Sequence, residues 1–169
     1  AASEDVSDLG AGTYSVVATD ENGCSASIEV EITEADAMTI SETHSNYTGY
    51  GVSASGASDG SIDVTVEGGA GNYTYAWSNG ETSEDLEDLG AGTYSVVVTD
   101  ENGCQHEDSI TLTEPEALVS YIESVFDYNG YDISCNAGSD GAINLDIQGG
   151  VQPYDYSWNE GSNTEDLNN

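Results

Sequence analysis

The chemistry available to this chain is that of carboxylates: it holds 33 Asp and Glu residues, two His, and no Lys or Arg. Acids in such numbers can cap turns, bind hard cations or act as acid–base pairs. Acid–base work needs two carboxylates in unequal, partly buried settings, and acids spread evenly through turns do not offer them. His44 and His106 are isolated and read as solvated side chains, so no catalytic set is assigned. Calcium is the cofactor the acids point to, because it takes about six to eight oxygen ligands at a flexible site. If the Asp59 loop and the Asp100-Glu101-Asn102 loop share a pole, they meet Glu34 and Asp36 of the incoming linker there. The next junction would offer Glu114, Glu116 and Asp140. The bland alternative is that these acids cap turns and face water, since T-D-x-N-G loops owe their Asp and Asn to turn geometry. No EF-hand or nonapeptide calcium spacing is present.

The three cysteines pose a topological question. If residues near 50–54 and 61–67 form consecutive antiparallel strands, Cys135 ends the second strand of its unit. Cys24 and Cys104 begin the last strand of theirs, at the same pole. A disulfide across one unit is the natural outcome outside the cell. The position that would face Cys104 is Ala54, however, and the partners of Cys24 and Cys135 fall outside residues 1–169. The expectation is a free Cys104 and no disulfide within the chain. Asn46-Tyr47-Thr48 and Asn72-Tyr73-Thr74 fit the N-glycosylation pattern, which matches often by chance.

These residues need elements to hold them, and the pattern along the chain is that of strands. Apolar residues alternate at Ile62, Val64, Val66; Tyr73, Tyr75, Trp77; Tyr94, Val96, Val98; and Ile110, Leu112. Turn chemistry separates the runs: Ser58-Asp59-Gly60, Gly68-Gly69, Asn79-Gly80 and Asn102-Gly103, the last two being hairpin dipeptides that tolerate positive φ. Trp77 and Trp158 read as central core residues. Tyr14 and Tyr94 are candidates for a tyrosine corner, in which the hydroxyl returns to upstream backbone. The predicted class is all-β, with tandem immunoglobulin-like β-sandwich modules of about 80 residues.

Repetition sets the domain plan. Leu9–Cys24 and Leu89–Cys104 differ only at Ala18 against Val98, and lie 80 residues apart. Gly49–Trp77 aligns with Gly130–Trp158 at a spacing of 81. We divide the chain into the C-terminal half of a module (1–34), a complete module (37–114) and the N-terminal half of the next (117–169). The expectation is a window cut from a longer polymer, each half completed by more chain or by a neighbouring copy. A formal charge of −33 disfavours nucleic acid and anionic membrane as partners, since both call for a basic face. No stretch approaches 18 apolar residues, so membrane insertion is not expected.

The order SDG, GG, Y-x-Y-x-W-S-N-G and then L-x-A-G-T-Y-S-V-V-V-T-D-E-N-G-C resembles the SprB-type repeat of giant surface proteins of Bacteroidota. The resemblance implies an extracellular protein, exported by type IX secretion, that serves as a gliding adhesin or as the shaft of a surface filament. Its expected partners are neighbouring copies of the same chain, and the alternative role is a module that binds surface glycans. Ala54 departs from the pattern, where such repeats often carry cysteine, and Gly71-Asn72 stands where the sister unit has Gln152-Pro153. Asp108-Ser109-Ile110 resembles the short O-glycosylation motif of the same phylum, which makes Ser109 a candidate modification site.

Overall fold

A computed structural model describes residues 5–125 and 127–167; Ser3, Glu4 and the other residues outside that range belong to the expected half-modules. Every regular element described is a β-strand, and every pairing is antiparallel. The complete module holds six: β3 (Thr39–His44), β4 (Ser58–Glu67), β5 (Thr74–Trp77), β6 (Leu86–Gly90), β7 (Gly92–Thr99) and β8 (Gln105–Leu112). They form two three-stranded sheets, in the orders β3-β4-β6 and β5-β7-β8. This partition has the A-B-E and C-F-G split of immunoglobulin sandwiches, without the D strand.

Period-two patterning explains the two-sheet arrangement. Along β4, Gly60, Ile62 and Val64 are buried while Asp63 and Thr65 face water. Val96 and Val98 of β7 and Ile110 and Leu112 of β8 point into the same interior. With Met38, Trp77, Leu86 and Leu89 they form one core, against which Tyr73, Tyr75 and Tyr94 pack. Gly60 has no room for a side chain: a Cβ there would lie 2.8 Å from Leu112 Cδ1 and 2.9 Å from Leu89 O.

The flanking segments repeat these strands. β1 (Gly12–Thr19) and β2 (Ser25–Ile32) form a hairpin in the register of β7 and β8. β9 (Val119–Val125) and β10 (Ile143–Gln148) pair as β3 and β4 do, with one bulge at Asn144/Leu145.

Two local expectations need correction. Residues 50–54 are not a strand; they belong to the turns of the long β3–β4 connection, where Tyr47 and Tyr50 bridge each other. Tyr50, Val52 and Ala54 alternate as a strand would, but Gly51 N and Val52 N both bond Thr113 O and Ala57 N closes a turn on Ala54 O. Asn79-Gly80 does turn the chain, with Gly80 N donating to Trp77 O at 3.0 Å. It closes no hairpin, however, because β6 joins the opposite sheet from β5.

Candidate functional site

The chemistry-bearing residues of the module gather at its two poles. At the pole where the chain enters, Asp100 sits at the turn between β7 and β8 and is 7% exposed. Its carboxylate accepts from the backbone N–H of Ala70 (3.0 Å), Asn102 (2.9 Å) and Cys104 (2.8 Å). Burial pushes its pKa up, but these backbone donors outweigh burial and hold it below the usual aspartate value. Gly69 N donates to Asp36 O at 2.7 Å, tying the linker to the same turn. Gly68 has φ +78° and packs on Ala37 O, so only glycine fits there. Glu101 Oε1 accepts from Asn72 Nδ2 at 3.3 Å.

At the pole where the chain leaves, Asp59 Oδ1 accepts from Ser53 N at 3.0 Å, and Asp59 O accepts from the Tyr47 hydroxyl at 2.9 Å. The Ser53 hydrogen bonds hold the Asp59 carboxyl below its ordinary pKa. Glu114 reaches back to Gly56 N at 2.6 Å, and Gly51 N donates to Thr113 O at 2.8 Å. The sister unit repeats this pole: Asp140 Oδ1 accepts from Ser134 N at 3.1 Å, and its pKa is lowered for the same reason. It repeats the linker bond too, Gly150 N to Glu116 O at 2.7 Å.

The expected convergence of Asp59 with Asp100 is therefore wrong. Asp59 lies at the start of β4 and Asp100 beside the turn that follows its end, ten residues away along the strand. The error follows from reading 50–54 as a strand, which reverses the end of the module that the Asp59 loop occupies. Among the described residues, no group of three or more His, Cys, Asp and Glu is placed to hold a metal. Of the proposed calcium residues, Asp36, Asp100 and Glu101 share one pole and Asp59 and Glu114 the other.

The same correction applies to the cysteines. Cys104 sits at the Asp100 turn, whereas position 54 and its counterpart Cys135 lie in the loop at the far pole, so a bond within one module is not geometrically available. Cys24, Cys104 and Cys135 are exposed free thiols.

The aromatics are structural in the complete module. The Tyr94 hydroxyl donates to Gly90 O and that of Tyr14 to Gly10 O, both at 3.0 Å. Trp77 is 5% exposed, and its Nε1 donates to Ser83 O at 2.8 Å. Trp158 makes the matching bond to Thr164 O at 2.8 Å but is only half-buried. Burial, with Glu84 nearby, pushes the Tyr75 pKa up to about 12; the same causes, with Glu165, raise that of Tyr156. Ser109 is exposed on β8, and its N–H donates to the Asp108 carboxylate at 2.7 Å. His44 pairs with Glu42 at 3.1 Å on the surface. Sequence reading missed the roles of Gly56 and Ser53, whose backbone N–H groups carry no compositional signal.

Fold and poles together define a repeat module, a β-sandwich with acid-capped turns at either end. Residues 55–82 and 131–163 match the family model of the SprB repeat, consistent with repeats of that type. The matched stretches cover the same part of successive units, from the loop before β4 through the turn after β5. Neither the curated proteins nor the solved structures yield a match. The SprB repeat is a surface repeat of adhesin type, structural rather than enzymatic. No helix is long and apolar enough to cross a membrane among the described residues.

Proposed function

We propose that this chain is a spacer segment of a long extracellular fibre, the shaft of a type IX-secreted gliding adhesin or related surface appendage. One observation carries the reading: the complete module takes in the chain at one pole and releases it at the other, with its core sealed between. Copies linked by the short connections at 33–38 and 113–118 would extend rather than pile up. The acids serve as turn caps at the poles and elsewhere as a hydrated coat that keeps neighbouring shafts apart. The alternative, a glycan-binding module, would want exposed aromatic rings for stacking. In the complete module Tyr73, Tyr75, Trp77 and Tyr94 all pack on the core, which favours the spacer.

Pulling single chains of several modules tests this reading. Independent sandwiches should unfold one at a time, each releasing about 25 nm at roughly 3.5 Å per residue. A smooth extension without discrete steps would overturn it.

A further inference from the structure

The β5–β7–β8 sheet turns one face to the core and the other to water, and its outer face is unlike the rest of the surface. β7 points Val96 and Val98 inward, so Thr93, Ser95, Val97 and Thr99 point out. Their ladder partners on the flanking strands are Ser, Thr, Ala or Gln, with Glu107 on β8 the single acid among them. The outer face of the opposite sheet carries Asp63 and Glu67 on β4 alone, as a chain with 33 acids and no Lys or Arg leads one to expect.

Comparison of the repeated hairpins marks the same row. Leu9–Cys24 and Leu89–Cys104 differ only at Ala18 against Val98, and Val98 is 0% exposed. The one difference thus falls in the core, while the outward row recurs unchanged as Thr13, Ser15, Val17 and Thr19. Copying of the whole hairpin does not account for this. The outward positions 25, 27, 29 and 31 of β2 share no residue with positions 105, 107, 109 and 111 of β8. Core packing places no demand on side chains that point to water, so the recurring row has a use outside its own module.

We propose that this face is a lateral docking surface between copies of the chain, the β5–β7–β8 face of one copy packing on the same face of a second. Charge selects the occupant. Two chains at −33 repel wherever their acids meet, and here they touch with few carboxylates losing water. Short side chains on a three-stranded sheet suit the packing of two sheets about 10 Å apart. Hydroxyls donate and accept alike, as Thr93 Oγ1 and Thr111 Oγ1 do with each other at 2.9 Å, so the face complements itself. At about 27 Å along β7 and some 14 Å across three strands, one face covers roughly 400 Å², half of the ~800 Å² a side of a standard interface. One module therefore docks weakly, and arrays dock through several modules at once. The inference stands on the charge and recurrence of this face, and its failure would leave the spacer reading intact.

The test compares the 169-residue chain with two charge-matched variants: Ser95→Glu, at the middle of the face, and Thr65→Glu, on the outer face of β4. Sedimentation of the parent at about 0.5 M salt should show dimers forming between about 0.1 and 1 mM, and fewer of them at about 0.1 M salt. Ser95→Glu should weaken that association by about tenfold or more, whereas Thr65→Glu should leave it within about twofold. A second readout needs no added charge. With Cys24, Cys104 and Cys135 changed to Ser and Ser95→Cys introduced, a bismaleimide spanning about 10 Å should join residue 95 to residue 95 of another copy, and Thr65→Cys should give far less product. A chain that stays monomeric to about 1 mM, an association that the two Glu variants change alike, or 95–95 product no greater than 65–65 product would overturn the proposal.

Discussion

At the residue scale, the conserved chemistry between repeats is that of hydrogen-bonded turns. Tyr94 returns its hydroxyl to Gly90 O and thereby pins the connection between the two sheets at β6–β7. Tyr94→Phe keeps the packing and loses the bond, and denaturant titration should show a loss of about 1 kcal/mol. Asp100 gathers three backbone donors, Ala70 N, Asn102 N and Cys104 N. Because its pKa is lowered in the folded state, its contribution is present above the ordinary aspartate value of about 3.9 and is lost as pH falls through the folded value. Asp100→Ala should therefore lower the unfolding midpoint at neutral pH. The gap from the parent should narrow below about pH 4, and a gap independent of pH would contradict the cap assignment.

At the scale of elements, alternation places the core and connections place the site. Leu112 of β8 is 1% exposed and packs against the backbone at two close approaches, Gly51 and Gly60. Leu112→Ala should cost about 3 kcal/mol, measured by denaturant unfolding, as the cavity there is walled by backbone that cannot collapse. Strands β4, β5, β7 and β8, the tyrosine returns and the buried Trp77 were legible in sequence, since burial on one face leaves a period of two; β6 was not. Nor was the pole of each loop. Residues 45–57 carry turn formers around a short alternation at Tyr50, Val52 and Ala54, and whether such a stretch forms a strand decides which end the next loop faces. One misplaced strand moved Asp59 and position 54 to the wrong pole, and with them the expected carboxylate cluster and cysteine pairing. The residues that answer Asp59 and Glu114 are backbone donors at Ser53 and Gly56, and backbone donors are the same in every sequence.

At the scale of the molecule, charge and repetition work together. A formal charge of −33 without a single Lys or Arg leaves repulsion to be relieved only by dissolved ions and by distance. Stacking modules pole to pole spreads that charge along a line, which is the least repulsive way to add copies. Asp59, Asp100 and Glu114 are engaged as caps at the poles, so we attribute the stiffness of such an array to the sandwiches and their short linkers rather than to metal clamps.

Small-angle scattering from purified arrays of two, four and six whole modules, in chelator and in millimolar calcium at matched ionic strength, tests that claim most directly. The longest dimension should grow by about 33 Å or slightly more per module, the length of β4, and by the same amount in both solutions. Arrays that are compact or coil-like in chelator and extend only when calcium is added would contradict it.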